Sequence, residues 1–221
     1  MTVREVELLS SGARQLGLEL DRATVDRLLT LIFELLKWNS RVNLTAITDP
    51  TVVITKHLLD SLTVAPLLSE GASLLDIGSG GGFPALPLKI VRPDLAVVSI
   101  DAVQKKILFQ RHIVRLLGLE GFTAKHCRAE NLASAMPHHF DYAIARAVSN
   151  LARLARLALP LLAEGGRIIA MKGPQGKDEA EHARDELSGL GVEVVELRNF
   201  RLPMGGGERE LVILAREPAG T

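Results

Sequence analysis

The chain has 221 residues, 47% of them hydrophobic and 24% charged, enough for one α/β domain with a full core and too apolar for a long disordered segment. Lys and Arg number 26, and so do Asp and Glu, which excludes the overall basic excess common in proteins that grip bare nucleic acid and leaves room only for a local patch. The single cysteine, Cys127, excludes an internal disulfide framework and a cysteine-built zinc cage, and no metal is expected.

The segment from Met1 to Gln15 carries charges where a secretion signal needs an apolar core, and no stretch of about 18 uninterrupted apolar residues follows to cross a membrane. A cytoplasmic protein is expected. Leu28, Leu29, Ile32, Leu35 and Leu36 recur at helical spacing between Asp21 and Trp38. Asp49-Pro50 supplies an N-cap and a first-turn proline for a further helix through residues 51–68. Residues 1–70 are thus expected to form a helical extension packed on a domain of residues 71–221, the two making one structural unit.

From residue 74 the rhythm changes to short apolar runs separated by helical segments. Seven strands are predicted: SLLDIG from Ser73, AVVSID from Ala96, FTAKHC from Phe122, FDYAIAR from Phe140, GRIIAMKG from Gly166, EVVELR from Glu193 and ELVILAR from Glu210. Helical spacing from Lys105 to Leu119 and from Ser149 to Gly166 makes the early strands parallel, with crossover helices. The last two are joined by NFRLPMGGGERE without a helix, so an antiparallel pair is predicted. The fold class is α/β, with a seven-stranded, mostly parallel sheet and one reversed strand.

The stretch LLDIGSGGGFPALPL, Leu74 to Leu88, carries the chemistry. Asp76, Gly78, Gly80 and Gly82 stand as acid-x-Gly-x-Gly-x-Gly at the carboxyl end of the first strand, the edge where doubly wound sheets bind ligands. A dinucleotide needs phosphate-binding amides there, and a carboxylate would repel its pyrophosphate but favour a cationic ligand. S-adenosylmethionine, with its sulfonium and amino group, is such a ligand. Asp101 closes the second strand 21 positions after Gly80, where an acid can bond a ribose hydroxyl pair. The alternative, a tight turn alone, has the strand–loop–helix context against it. No Gly-Lys-Ser/Thr follows, which excludes a Walker-type loop. Ala129 and Glu130 follow the third strand within reach of an adenine, although Glu130 reads equally as an acid favoured at a helix N-terminus.

The place after the fourth strand reads IARAVS, Ile144 to Ser149, without the Asn/Asp-Pro-Pro-aromatic loop of exocyclic-amine methyltransferases. Carbon methylation of a pyrimidine needs a thiolate, and Cys127 reads as a small core residue. An acceptor that is already nucleophilic remains, such as a ring nitrogen with a free lone pair, for which alignment carries the rate and no general base is required.

The combination of NLTAI (Asn43 to Ile47), HLLDSL (His57 to Leu62), LLDIGSGGGFPALPL, RAE (Arg128 to Glu130), ARA (Ala145 to Ala147), MKG (Met171 to Gly173) and GERELVIL resembles the ribosomal small-subunit RNA methyltransferase G family over residues 34–215. The resemblance implies a class I S-adenosylmethionine-dependent methyltransferase of Rossmann-like fold that methylates N7 of one guanine in 16S rRNA. It implies cofactor contacts at Gly78, Phe83, Ala129, Glu130 and Arg146. Phe83 is expected to wall the pocket, and Arg146 to donate hydrogen bonds at the end of the fourth strand. Alternatives are another small or RNA acceptor, or a non-catalytic regulator that binds the methyl donor.

The expected RNA contacts are Arg198, Arg201 and Arg209 around the triple glycine, with Lys172 at the end of the fifth strand and Asn43 upstream. Asn43 reads equally as a cap or turn residue. Lys105, Lys106, Arg111 and Arg115 read first as a solvated face, with RNA contact as the lesser alternative. No catalytic group is assigned; His57 and Lys172 are the candidates, and His57 reads equally as a satisfied helix histidine. With one Trp and one Tyr, base stacking rests on few residues. The expected partner is 16S rRNA within the small subunit or its precursor, met by a monomer.

Overall fold

The computed structural model describes residues 2–146 and 150–218. Helix α1 (Val3–Gln15) opens on a capping box in which Thr2 and Glu5 satisfy each other's backbone amides. Helix α2 (Arg22–Val42) is capped by the Asp21 carboxylate, which accepts from Thr24 N at 2.7 Å. It ends at Asn43, whose φ of +46° is the left-handed C-cap conformation that asparagine tolerates.

The helix expected over 51–68 forms in pieces: α3 (Pro50–Val53), a π-helical stretch Ile54–Leu59, α4 (Asp60–Leu62) and a 3₁₀ turn Ala65–Leu67. Apolar periodicity does not announce a π turn, and π turns inside helices often mark functional sites. This one carries His57 and leads directly into Asp60.

All seven predicted strands are present: β1 (Ser73–Ile77), β2 (Ala96–Asp101), β3 (Phe122–His126), β4 (Phe140–Ala145), β5 (Leu162–Lys172), β6 (Val192–Leu202) and β7 (Gly207–Arg216). Their order is β3-β2-β1-β4-β5-β7-β6, with β7 antiparallel to both neighbours. The pairings of β1 through β5 are parallel. Chain order reverses between β1 and β4, so the ligand crevice of a doubly wound sheet opens beyond the carboxyl ends of these two strands. The crossover helices are α5 (Ala85–Val91), α6 (Gln104–Leu117), α7 (Ala129–Ala135) and α8 (Leu151–Ala158), with α9 (Gly176–His182) and α10 (Arg184–Ser188) leading to β6.

Side-chain alternation along the strands divides the core. Leu74, Ile144 and Ile169 face one cluster together with Leu28, Leu31 and Leu35 of α2. Leu75, Ala143 and Ile168 face the other, with Leu151 and Leu154 of α8. The N-terminal helices thus cover one face of the sheet and share its core. Among the described residues, no helix is long and apolar enough to cross a membrane.

Two boundaries differ from expectation. Helical spacing predicts helix up to Gly166, but α8 stops at Ala158 and β5 begins at Leu162. Pro160 lacks the N–H a continuing helix needs. The Leu162–Gly166 segment instead pairs with β4 across a bulge between Phe140 and Tyr142, where Gly165 has φ +73°. The predicted twelve-residue loop shrinks to residues 203–206, because ladder pairing runs to Leu202↔Gly207 and Arg201 pairs with Glu208 across the strands at 3.1 Å.

Trp38, on α2, packs against Phe109 and His112 of α6 and reports on this shared core. Leu28→Ala should cost about 2–5 kcal/mol. Urea unfolding followed by Trp38 fluorescence should coincide with that followed by far-UV circular dichroism, and separated transitions would show that the helices fold apart from the sheet.

Candidate active site

The glycine loop leaves β1 and is tied down from beneath. Gly78 N and Ser79 N both donate to Ile100 O at 3.0 Å, and Gly80 N donates to Asp101 Oδ2 at 2.9 Å. The fully buried Gln110 of α6 donates to Ser79 Oγ at 2.7 Å and to Gly80 O at 2.9 Å, while its Oε1 accepts from Ser99 Oγ at 2.7 Å. Gly78 and Gly80 have φ of +71° and +59°, and a Cβ on either would meet nothing within 4 Å. Their bare side faces open space, which is the approach a ligand needs. Gly82 differs: at φ +84° a Cβ would lie 2.4 Å from Leu86 Cδ1, so this glycine admits the packing of α5.

Two hollows meet at Gly78. One, of about 400 Å³, is lined by Gly78, Ile100, Asp101, Cys127, Arg128, Ala129, Glu130 and Arg153 among others. The second, of about 150 Å³, is lined by Leu35, Leu44, Thr45, His57, Gly80, Phe83, Lys106 and Arg146 among others. The first belongs to the sheet edge. The second has one wall from the N-terminal helices and their connecting loop.

Asp76 is fully buried beneath the loop; its Oδ2 accepts from Ala85 N at 3.2 Å and its Oδ1 has no partner among the described residues. Burial pushes its carboxyl up to about 7, against the opposing pull of the Ala85 amide and the Arg146 charge. Asp101 accepts from Val103 N at 2.8 Å as well as from Gly80 N. It therefore shapes the loop as well as lining the larger hollow. Cys127 lines that hollow too, where burial raises its thiol above the usual range and keeps it protonated.

Arg146, at the end of β4, organises the smaller hollow. Its Nη1 donates to Lys56 O at 3.1 Å, lies 3.2 Å from His57 Nδ1 and 3.5 Å from Asp60 Oδ2, and its guanidinium stands 5.7 Å from the Phe83 ring centroid. An arginine only donates, so His57 Nδ1 is the acceptor and Nε2–H donates to Thr45 Oγ1 at 2.9 Å. The Lys56 carbonyl 3.1 Å from Nδ1 is no donor, and the guanidinium supplies protons to both. Burial first, and the Arg146 charge second, lower the His57 pKa to about 4, so the ring is neutral at pH 7. Thr45 Oγ1 also accepts from Ile47 N at 3.1 Å, leaving its own hydroxyl proton to donate.

Several expected RNA contacts are already committed elsewhere. Lys172 is nearly buried, pairs with Glu179 at 2.8 Å and lines neither hollow. Arg209 pairs with Asp60 at 2.9 Å, Arg201 with Glu208 at 3.1 Å and Arg198 with Glu196 at 2.5 Å. Asn43 is an exposed helix cap; it is Asn39 that holds the NLTAI segment, its Oδ1 accepting from Leu44 N at 2.6 Å and Thr45 N at 2.9 Å. Glu130 sits in the first turn of α7 and also lines the larger hollow, so both of its readings stand. Ala147 to Ser149 of IARAVS lie outside the described residues. Sequence reasoning missed Asn39, Thr45, Asp60 and Gln110; Asp60 and Gln110 bond groups far along the chain, Asn39 and Thr45 bond nearer ones across an irregular segment, and the NLTAI and HLLDSL motifs contain Thr45 and Asp60.

The opposing shifts of His57 and Asp76 are testable. Between about 4 and the ordinary 6.5, the unfolded chain takes up a histidine proton that the folded chain refuses, so His57 makes stability rise with pH. Between the ordinary 3.8 and about 7, the folded chain keeps an Asp76 proton that the unfolded chain releases, so Asp76 makes stability fall with pH. Asp76→Asn should leave urea stability rising across the His57 window, and His57→Gln should leave it falling. Identical pH slopes in the two variants would remove one or both assignments.

A family model described as rRNA small subunit methyltransferase G matches residues 24–212. The ribosomal RNA small subunit methyltransferase G of Geobacter sp. (strain M21) is 50% identical over 210 residues, covering 95% of this chain and 97% of that protein. That of Geotalea uraniireducens is 49% identical, covering 95% and 96%. Among solved structures, the B. subtilis M1A22 tRNA methyltransferase TrmK superposes with a TM-score of 0.58 at 15% identity, over 72% of this chain and 65% of that one. TYW2 of M. jannaschii, solved in complex with AdoMet, gives 0.60 at 12% identity over 80% and 78%. At such identity the likeness shows the fold alone, the α/β fold of class I S-adenosylmethionine-dependent methyltransferases. Given the family match and relatives near half identity over almost the whole chain, this protein belongs to the ribosomal RNA small subunit methyltransferase G family.

Proposed function

We propose that this chain transfers a methyl group from S-adenosylmethionine to N7 of one guanine in the 16S rRNA of the small ribosomal subunit. The observation that carries the reading is the pair of hollows joined at Gly78, the larger under carboxylates and the smaller lined by hydrogen-bond donors.

The larger hollow fits the methyl donor. Gly78 presents an open backbone to it and Gly80 to the smaller hollow beside it, and beneath this loop Asp76 Oδ1 is an unmet buried acceptor that lines neither hollow. Asp101 retains lone pairs for a hydroxyl pair beyond the two amides it accepts, and Ala129 and Glu130 line the same space. When bound, S-adenosylmethionine supplies an electrophilic methyl on a positively charged sulfur.

The smaller hollow fits guanine. Its major-groove edge offers two acceptors, N7 and O6, where adenine presents N6–H₂ as a donor beside N7. Thr45 hydroxyl, Arg146 and Lys106 bring donors to this space, so a base with an acceptor next to N7 is favoured and adenine is not. Guanine N7 has a free lone pair and no proton to lose. A buried neutral histidine with both ring nitrogens engaged is suited to holding Thr45 and Arg146 in place, and alignment then carries the rate. Phe83, nearly buried between His57 and Arg146, walls the pocket.

The form proposed to meet this substrate is a monomer. The balanced net charge favours a substrate recognised by shape, an assembled or partly assembled subunit, over protein-free RNA.

Small subunits lacking the modification, incubated with labelled S-adenosylmethionine and then treated with borohydride and aniline, should show label in 16S RNA and one new cleavage at the modified guanine. Arg146→Met should lower kcat/KM by about 10²-fold or more, the loss expected when an aligning donor is removed. Label without cleavage would move the methyl to another atom, and donor binding without transfer would discard the acceptor.

A further inference from the structure

Charge in this balanced chain is sorted to opposite edges of the sheet. Strands β3 and β6 are the two edges. Between Ala102 and Ala129, spanning α6, β3 and the turn after it, the sequence holds Lys105, Lys106, Arg111, Arg115, Lys125 and Arg128 against a single acid, Glu120. At the far edge, residues 176–196 of α9, α10 and early β6 hold seven acids against Lys177 and Arg184. A net charge of zero therefore conceals a separation of charge across the width of the molecule.

The basic groups at the two edges differ in what they already hold. The hairpin arginines Arg198, Arg201 and Arg209 are each paired with an acid. On the α6–β3 edge only Lys106 has such a partner, Asp101 at 3.7 Å. Among the described residues, Lys105, Arg111, Arg115, Lys125 and Arg128 enter no ion pair, and Arg111 commits only Nε, to Ala124 O at 3.0 Å. Lys105, Arg111, Arg115 and Arg128 are exposed.

This edge is continuous with the site. Arg128 lines the larger hollow and Lys106 the smaller. From there Lys105, Arg111 and Arg115 follow α6 outward; at about 1.5 Å per residue, Lys105 and Arg115 stand about 15 Å apart along the axis, a span of several backbone phosphates. A groove of about 550 Å³ between α6 and β3, lined by Arg111, Arg115, Thr123 and Lys125, runs beside them.

Resting on the methyltransferase reading above, we propose that the RNA backbone flanking the target guanine lies along the α6–β3 edge, and that the acidic α9–α10–β6 edge points away from it. Unpaired cations displace counterions from phosphates, whereas paired ones have less to offer. The acidic edge repels phosphate within a Debye length of about 8 Å at physiological salt. The hairpin arginines are then structural, and the face whose sequence reads first as solvated and second as an RNA contact is the one that meets RNA.

The test is equilibrium binding, independent of turnover, of the full chain to unmodified small subunits and to protein-free 16S RNA across a range of KCl concentrations. Lys105→Gln/Arg115→Gln should weaken both complexes several-fold at low salt. It should also lower the slope of log affinity against log salt by about 1–2, since each lost phosphate contact removes about 0.7–0.9. S-adenosylmethionine binding and the melting temperature should stay unchanged. Lys105→Glu/Arg115→Glu should weaken binding further, and Arg198→Gln/Arg201→Gln should change it little. Unchanged affinity and slope in the α6 variants, or a larger effect from the hairpin variant, would overturn the proposal. A loss confined to subunits, with protein-free RNA bound as before, would also overturn it by assigning the edge to a subunit protein. Failure of the methylation reading shows separately, as wild-type binding without methyl transfer.

Discussion

The structure turns on the buried carboxylate of Asp60. It accepts from Arg209 Nε at 2.9 Å and stands 3.5 Å from Arg146 Nη1, so one side chain at the end of the π turn holds the carboxyl end of β4 and the start of β7. A carboxylate this buried is tolerable only with its charge compensated, and the two guanidinium groups together supply that compensation. The hairpin tip is drawn against the same turn: a Cβ on Gly206 would lie 2.9 Å from Thr55 Cγ2 and 2.5 Å from Leu202 Cδ2. Three regions distant in sequence thus close around Arg146, which in turn fixes His57 and Thr45.

The glycine loop is organised by a different constraint. A loop with four glycines in five positions has little side-chain packing to define it, and its conformation comes from hydrogen bonds to Ile100, Asp101 and Gln110. These all belong to β2 or α6, so the second strand and its helix shape the loop that follows the first. Gln110 is the centre of that arrangement, fully buried with its amide oxygen and nitrogen both engaged. Such a group is stable only because its hydrogen-bonding capacity is met. The glycines that stay bare towards the cleft, Gly78 and Gly80, leave the backbone open to a small cationic ligand.

The N-terminal helices have two roles that packing alone would not require. They bury one face of the sheet through Leu28, Leu31 and Leu35, and they bring the Thr45 and His57 wall to the smaller hollow. Asn39, by accepting from the amides of Leu44 and Thr45, converts the end of α2 into part of that wall. The larger hollow is therefore the property of the α/β sheet, whereas the smaller one exists only where the helical extension meets it.

Local chemistry determined the strands, the reversed partner in the sheet and the acid–glycine loop, because alternation, turn residues and glycine freedom act within a few residues of one another and are readable in order. The resemblance pointed to Phe83 and Arg146 as cofactor contacts alongside Ala129 and Glu130, whereas the structure sets Phe83 and Arg146 with His57 in the smaller hollow and Ala129 and Glu130 in the larger, the two meeting at Gly78. Composition counted the cations but could not say which were free. Only the tertiary structure decided that Lys172, Arg198, Arg201 and Arg209 face carboxylates, that Asn43 is a cap, and that Asn39, Asp60 and Gln110 build the site. The partners of Asp60 and Gln110 lie 149 and 31 residues away, and no local pattern records a distance that only folding closes.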